Sequence, residues 1–198
     1  MKNFYIADLH IGHENILRLD NRPFSDLNEM HRAMIDNWNS AVRGDDTVYI
    51  LGDFCWGKEE MWLQCVSVLA GKKVLVLGNH DLKQFSPILK RQFQEIVCYK
   101  EISDSGKHII MSHYAIPFHK ADYNPDCYML YGHVHTTREN DMLNQLRDSI
   151  RASCTEKGHA IGNFINVGCM MPWMDYTPRT LDEIIERSGI TNNRPVFE

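Results

Sequence analysis

The 198-residue chain lacks the features that define several classes of protein. No apolar run is long enough to span a bilayer and no leader precedes the first predicted strand, so we expect neither a membrane anchor nor a secretory signal. The six cysteines are dispersed and form no Cys-x-x-Cys pair, which argues against a disulfide framework and favours reduced thiols in a cytoplasmic protein. Repeats, low-complexity tracts and linkers are also missing, which predicts a single domain over residues 1–198.

An excess of positive charge is missing as well. The chain has 21 Lys and Arg residues against 26 Asp and Glu residues, and its formal net charge of −5 gives no basic field for capturing long DNA or RNA. A nuclease that acts on long nucleic acid is therefore disfavoured. The hydrophobic fraction of 43% and the charged fraction of 24% are typical of a soluble globular domain. The unusual count is that of histidine, with ten residues.

The most informative stretch is Gly-Asn-His-Asp at residues 78–81. It follows the apolar run Lys73–Leu77, which is typical of a buried parallel strand. In open α/β sheets ligands bind at the carboxyl ends of strands, and Asn79, His80 and Asp81 bring an amide, an imidazole and a carboxylate to such an end. Taken alone, the stretch has an alternative interpretation as an ordinary Gly-Asn turn.

Two earlier strands end in the same way. The strand Phe4–Ala7 leads into Asp8 and His10, whose alternate spacing puts both side chains on one side of an extended chain. The strand Thr47–Leu51 leads into Asp53 through a glycine. Amphipathic segments between the three strands predict a helix in each connection, and hence a βαβαβ unit with its polar residues along one edge.

Histidines follow two later strands. The strand His108–Met111 leads into His113, and the strand Cys127–Tyr131 is followed by Gly-His-Val-His, which contains His133 and His135. The two imidazoles at alternate positions after a glycine repeat the pattern of the first strand end. We therefore expect these histidines at the same edge as the carboxylates.

The rest of the sequence predicts less about the site. Further strands are predicted at 96–99 and 163–168, and a helix is predicted at 85–93. His31 lies off the apolar stripe of the first predicted helix, so we expect its side chain to be exposed. The segment 136–162 is polar and is interpreted as an insertion between two core strands. It contains one predicted helix, with four apolar side chains expected to be buried: Met142, Leu143, Leu146 and Ile150.

Eight polar residues are thus predicted at one edge: Asp8, His10, Asp53, Asn79, His80, His113, His133 and His135. Burying polar groups without partners is unfavourable, and two divalent cations bridged by one carboxylate would satisfy nearly all of them. Such pairs activate a water or hydroxide and bind both oxygens of a displacement at phosphorus. The mixed nitrogen and oxygen ligands favour Mn, Fe, Zn, Co or Ni over Ca or Mg.

In this order, Asp-x-His, Gly-Asp, Gly-Asn-His-Asp, a later His and Gly-His-x-His resemble the calcineurin-like metallophosphoesterase superfamily. The context Asp-Leu-His-Ile-Gly-His-Glu-Asn, followed by Arg-Pro-Phe, is similar to a group of small bacterial and phage phosphoesterases within it. The resemblance implies an α/β fold in which a two-sheet β-sandwich core is flanked by helices.

The resemblance also implies a role for each residue. It assigns two overlapping sets of metal ligands, one formed by Asp8, His10, Asp53 and His135 and the other by Asp53, Asn79, His113 and His133. Asp53 would bridge the two metals. His80 would donate a proton to the leaving oxygen or bind the phosphate, and Asp81, where many relatives have glutamate, would orient its ring.

The loop after the first strand, which contains Asp8 and His10, is called the first ligand loop. Residues just beyond it are candidates for binding substrate. His13, Asn15 and Arg22 could bind a phosphate or a base, the planar guanidinium being the best phosphate ligand of the three. The alternative is a loop that is hydrogen-bonded to itself. Trp56 and Trp173 could stack on a nucleobase, and the alternative for both is packing in the core or at its rim.

The sequence therefore predicts a binuclear metal-dependent phosphoesterase in which a metal-bridging hydroxide attacks a small phosphate ester. Phosphodiesters or small nucleotides are the favoured substrates. One alternative is a phosphomonoesterase or protein phosphatase of the same fold, which would use the same ligands. Another is a non-catalytic metal-binding scaffold, although a scaffold would have no need for His80 beside a complete ligand set.

Overall fold

The computed structural model describes residues 1–153 and 159–190, which form two four-stranded sheets flanked by helices in a single α/β domain. This confirms the fold expected from the sequence. The first sheet contains β1 (Asn3–Ile6), β2 (Thr47–Ile50), β3 (Lys72–Val76) and β4 (Glu95–Val97), and the second contains β5 (Lys100–Asp104), β6 (Lys107–Met111), β7 (Cys127–Tyr131) and β8 (Phe164–Asn166). The helices are α1 (Ile16–Leu19), α2 (Leu27–Ala41), α3 (Glu59–Val68), α4 (Pro87–Lys90), α5 (Arg138–Ser153) and α6 (Leu181–Ser188).

The first sheet is entirely parallel and its strands follow one another in chain order. Helix α2 joins β1 to β2 and α3 joins β2 to β3, which confirms the predicted βαβαβ unit. Strand β2 is buried along its whole length, as expected for a parallel strand covered on both faces. The carboxyl ends of β1, β2 and β3 therefore lie side by side.

Helix α2 covers the first sheet with a narrow apolar stripe. Its buried side chains are Met30, Met34 and Trp38, at intervals of four residues that keep them on one face. Asp26 caps the helix by accepting a hydrogen bond from the amide of Glu29 at 2.8 Å. Burial on one side and capping at the start thus fix the helix that follows the first ligand loop.

The second sheet contains a strand that the sequence analysis did not predict. Strand β5 pairs antiparallel with β6, whereas β6, β7 and β8 are parallel. The sequence Lys-Glu-Ile-Ser-Asp of β5 has one apolar residue, so its edge position comes from pairing with β6 and not from an apolar pattern. The helix predicted at 85–93 is also shorter than expected, because α4 ends after one turn and the chain enters β4.

Helix α5 connects the neighbouring strands β7 and β8 within the segment predicted as an insertion, 136–162. Part of that segment, at 154–158, lies outside the described residues, as does Cys154. Ile150 is buried against the second sheet, with Leu143 and Leu146 packed beside it, but the prediction for Met142 was wrong because its side chain is 57% exposed. In the described ranges, no helix has the length and apolar character needed to cross a bilayer.

The two sheets meet at the carboxyl ends of their strands. Ala7, just after β1, forms a parallel bridge with Gly168, just after β8. Two hydrogen bonds hold it, from the Ala7 amide to the Val167 carbonyl at 2.9 Å and from the Cys169 amide to the Ala7 carbonyl at 2.8 Å. Because of this bridge, the loops after β1, β2 and β3 face those after β6 and β7.

Glycine permits the close approach of these loops. Gly52 has a φ of +86°, a left-handed conformation that a β-carbon would strain. A β-carbon at this position would also overlap His113 Nδ1 and lie 2.8 Å from the Cα of Gly78. The loops after β2 and β6 can therefore pack together only because residue 52 has no side chain.

We predict that Gly52→Ala destabilises the protein more than Gly106→Ala does. Gly106 has a similar φ of +79°, but a β-carbon there would meet no atom within 4 Å. Gly106→Ala therefore measures only the cost of placing alanine in a left-handed backbone conformation, about 1–2 kcal/mol. Gly52→Ala adds overpacking against His113, about 1–3 kcal/mol more. Urea unfolding measures the free energy of unfolding of both variants. Equal losses of stability would mean that the close contact between residue 52 and His113 does not matter.

Candidate metal centre

The predicted ligands share an unusual backbone conformation. Non-glycine residues rarely adopt positive φ, and where they do the strain is often found at functional sites. Five of the seven predicted ligands have it: Asp8 (φ 56°), His10 (φ 50°), Asp53 (φ 51°), His133 (φ 72°) and His135 (φ 48°). Each follows a strand end, so the left-handed turn redirects the side chain at the edge where the two sheets meet.

A first group of candidate ligands is formed by Asp8, His10 and His135, whose ligand atoms all lie within 4.8 Å of one another. His10 Nε2 is 3.2 Å from His135 Nε2, and the latter is 3.9 Å from Asp8 Oδ1. Burial, with a smaller contribution from the His135 ring, lowers the pKa of His10 to about 2. His10 is therefore neutral and retains a nitrogen lone pair for a metal.

A second group is formed by Asp8, Asp53 and His113, again within 4.8 Å of one another. Asp53 Oδ2 is 3.5 Å from His113 Nε2 and 3.5 Å from His10 Nε2, so it contacts a histidine of each group. Asn79 adds its Oδ1 at 3.0 Å from His113 Nε2.

His133 lies at the exposed side of the second group. The centroid of its ring is 5.1 Å from that of His113, and its amide donates to both carboxylate oxygens of Asp8, each at 3.0 Å. All seven predicted metal ligands are thus brought to one edge of the fold.

The outer nitrogens of two histidines are held by other groups. His113 Nδ1 lies 2.8 Å from the Leu51 carbonyl, to which it donates, so Nε2 carries the lone pair towards Asp53. His135 Nδ1 is hydrogen-bonded to Asp20 Oδ1. Burial acts to lower the pKa of His135, but the bond to Asp20 and the charge of Asp8 outweigh it and raise the pKa. Asp20 was not predicted from the sequence, because it stands in a polar loop that no motif distinguishes.

Arg22 has a structural role in place of the predicted contact with phosphate. The residue is 5% exposed. Its guanidinium donates to the carbonyls of Asp8 and Leu9, each at 2.8 Å, and pairs with Asp20 Oδ2 at 2.9 Å. These partners use the donors that a phosphate would need, so the substrate-binding prediction is corrected for this residue. Arg22 instead fixes the backbone of the first ligand loop and the carboxylate that orients His135.

Asp81 also differs from its predicted role of orienting the His80 ring. Oδ2 accepts hydrogen bonds from the amides of Asp53 at 3.0 Å and Gly78 at 2.7 Å, and Oδ1 accepts one from Phe54 at 2.9 Å. Burial raises the pKa of Asp81, and the amide of Gly78 opposes that shift. The carboxylate therefore ties the loop after β2 to the loop after β3, and its contribution to the site is structural.

His80 and His13 lie at the opening of the site. The His80 amide donates to Asp53 Oδ1 at 2.9 Å, while its exposed ring has its centroid 5.7 Å from that of His10. The half-buried His13 ring is 5.8 Å from the same ring of His10. Asn15 is exposed at the start of α1, where its side chain makes no capping hydrogen bond. The His80 and His13 rings thus lie on the solvent side of the buried ligand His10.

The prediction for His31 was wrong, because this residue is half-buried and contacts the first ligand loop. Its Nε2 accepts a hydrogen bond from the amide of Gly12 at 2.9 Å. Burial lowers the pKa of His31, which keeps the ring neutral and able to accept. Helix α2 thus holds the loop that contains His10 and His13.

The donor set fits divalent cations. Burial raises the pKa of Asp8 to about 6, because removing a carboxylate from water disfavours its charged form. Carboxylate oxygens and imidazole nitrogens converge here, and the outer nitrogens of His113 and His135 are held by the Leu51 carbonyl and by Asp20. A cation bound among them would replace the lost hydration.

We predict that Asp20→Asn weakens metal binding without unfolding the protein. Replacing the carboxylate removes the charged acceptor of His135 and its pairing with Arg22, and loss of such an outer partner typically lowers metal affinity about 10–100-fold. Competition with a chelator measures the affinity. Asp36→Asn, which removes the same charge from the exposed surface of α2, is the control, and equal affinities for the two variants would contradict the role of Asp20.

Comparisons with known proteins agree with this geometry. The family model described as calcineurin-like phosphoesterase matches residues 1–125. An uncharacterized protein of Methanocaldococcus jannaschii is 33% identical over 156 residues, which cover 77% of this chain and 81% of that protein. The gene 66 protein of Mycobacterium phage D29 is 27% identical over 158 residues, covering 67% of this chain and 78% of the phage protein.

A solved structure extends the likeness to nearly the whole chain. The crystal structure of a protein of unknown function from Aquifex aeolicus is 30% identical and superposes with a TM-score of 0.64, covering 93% of this chain and 97% of that one. The family match includes the first sheet and the ligand loops after β1, β2, β3 and β6. The chain belongs to the calcineurin-like phosphoesterase family.

Proposed function

We propose that the protein is a binuclear metal-dependent phosphoesterase, with phosphodiesters or small nucleotides as its substrates. The observation that carries the proposal is the position of Asp53. Its Oδ2 is 3.5 Å from the ligand nitrogens of both His10 and His113, so one buried carboxylate adjoins two groups of ligands. A carboxylate shared between two cations is a recurring arrangement in phosphoryl-transfer sites.

Seven residues would hold the two cations. One set is Asp8, His10, Asp53 and His135, and the other is Asp53, Asn79, His113 and His133. When bound, such cations supply an activated water and neutralise charge on the phosphoryl oxygens. The mixed nitrogen and oxygen ligands of each set favour Mn, Fe, Zn, Co or Ni over Mg or Ca.

His80 would act on the leaving group. Its ring is exposed beside the buried ligands, and its backbone amide donates to Asp53, so the backbone of His80 is held next to the ligands. A protonated imidazole there would donate to the leaving oxygen, which matters most when that oxygen belongs to an alkyl diester. This dependence favours alkyl esters, whose leaving oxygen needs a proton, over aryl esters with good leaving groups.

His13 and Asn15 would contact the substrate. His13 Nδ1 is buried and has no hydrogen-bond partner among the described residues, and the ring lies at the opening. A phosphate oxygen or a polar group of the substrate would supply that partner. Asn15 is exposed on the same loop. Both residues are therefore retained from the sequence prediction as substrate contacts.

We predict that Asp53→Asn loses both metals, because the shared ligand would bear less charge towards each. Wild-type protein prepared with Mn should contain near two metals per chain and lose its turnover of a bis-aryl phosphodiester when a chelator is added. His135→Ala, which removes a ligand from one set, should retain more metal than Asp53→Asn. Elemental analysis of the three proteins decides, and an Asp53→Asn protein with two metals and full activity would rule out the bridging role.

We predict that His80→Ala keeps its metals and loses rate in proportion to how poor the leaving group is. General acid catalysis contributes about 10²–10⁴-fold, and activated aryl esters need little of it. The measurement is therefore the rate of wild-type protein and of His80→Ala on alkyl and aryl phosphodiesters. An aryl monoester is added to test the substrate class. Equal losses across leaving groups would count against His80 as the acid, and a large preference for the monoester would replace the diester proposal.

A further inference from the structure

An exposed tryptophan lies next to the proposed proton donor. Trp56 is 41% exposed, three residues after Asp53. The centroid of its ring is 5.1 Å from that of His80 and 4.3 Å from that of His13, with interplanar angles of 47° and 55°. Because both contacts are tilted, neither imidazole stacks flat on the indole. The exposed part of the indole therefore remains open to another planar group.

The position of Trp56 is fixed by the backbone around it. Its amide donates to the Ile11 carbonyl at 2.7 Å, and Ile11 forms a parallel bridge with Cys55. The loop after β2 is thus paired with the loop after β1. An aromatic surface held in place before the ligand arrives loses little entropy on binding, so Trp56 is suited to recognition.

The distance from the ligands indicates which ring Trp56 would contact. The His80 ring contacts both Trp56 and His10, with ring centroids 5.1 Å and 5.7 Å away. If His80 protonates the leaving oxygen, Trp56 adjoins the leaving group through its contact with His80. An aryl ester carries its ring directly on the ester oxygen, whereas in a nucleotide the sugar separates the base from that oxygen. The separation therefore favours a nucleobase.

We propose that Trp56 stacks on the base of a nucleotide leaving group and makes the protein selective for nucleotide esters. This inference rests on the proposed function, because it assumes that the phosphate binds at the metal ligands and that the leaving oxygen lies next to His80. Stacking accepts any base, since each has a π-face, so the selectivity is for nucleotides as a class and not for one base.

Binding of two uncleavable probes to the metal-loaded protein tests the proposal. One is the acyclic adenine phosphonate (phosphonomethoxyethyl)adenine, and the other is (ethoxymethyl)phosphonate, the same molecule without the base. Their P–C bonds are not phosphate esters, so calorimetry measures binding with no turnover. Inorganic phosphate serves as the reference for the phosphate site itself.

We predict that wild-type protein binds the adenine probe more tightly and that Trp56→Ala removes the preference. Base stacking on an aromatic side chain corresponds to an effect of about five-fold to a hundred-fold on affinity. Affinity for the base-free probe and the metal content should not change. Trp56→Phe, which keeps a ring, should keep most of the preference. Tyr123→Ala is the control, because this residue is 55% exposed but lies before β7, at the other edge of the sheet from His133.

The other outcomes separate this inference from the proposed function. If phosphate and both probes fail to bind, the phosphate site is wrong and both proposals fall. If both probes bind wild-type protein equally, or if Trp56→Ala keeps the preference, the phosphate site stands and the role of Trp56 is wrong. A loss of metal in both Trp56 variants would show a structural role in the ligand loop and would also overturn the inference.

Discussion

The candidate metal centre depends on the contact that joins the two sheets at the carboxyl ends of their strands. Ala7 pairs with the segment after β8, and one residue later the Asp8 carboxylate accepts the His133 amide from the loop after β7. The first contact is made by the backbone at Ala7 and Gly168, where a β-carbon on Gly168 would lie 2.9 Å from Asp8 Oδ2, whereas the second requires a carboxylate. Together they place ligands that are 125 residues apart in the chain within one site.

The strained ligand loops are balanced by hydrogen bonds between them. A left-handed backbone costs about 1–3 kcal/mol at each non-glycine residue, so five such ligands would be unfavourable in an isolated loop. Here the amide of Asp8 donates to the backbone carbonyl of Gly52 at 3.0 Å, and the amide of His10 donates to the backbone carbonyl of Asp53 at 2.9 Å. The Asp81 carboxylate also accepts hydrogen bonds from three backbone amides, those of Asp53, Phe54 and Gly78. The site is consequently shaped by the fold before any cation binds.

The sequence predicted the parts of the site that have a local signature. An apolar run followed by glycine and a polar residue marks a strand end, and this pattern located Asp53, Asn79 and His133 without knowledge of the fold. The residues that hold the ligands have no such mark. Asp20 lies 115 positions from His135, and the guanidinium of Arg22 is occupied by carbonyls that only the folded loop brings together. Strand β5 was missed for the same reason, because pairing with β6 and not its composition makes it a strand.

Charge indicates how phosphate binding at this site would depend on metal binding. The chain has a net charge of −5, and the site contains the buried carboxylates Asp8 and Asp53 beside a neutral His10. Without cations these carboxylates disfavour a phosphate anion, and the buried guanidinium of Arg22 is already paired with Asp20. Two divalent cations would reverse the sign of the field at the opening, where His80 and His13 lie. The same carboxylates that exclude phosphate from the bare site would therefore create its affinity for phosphate once they hold metal.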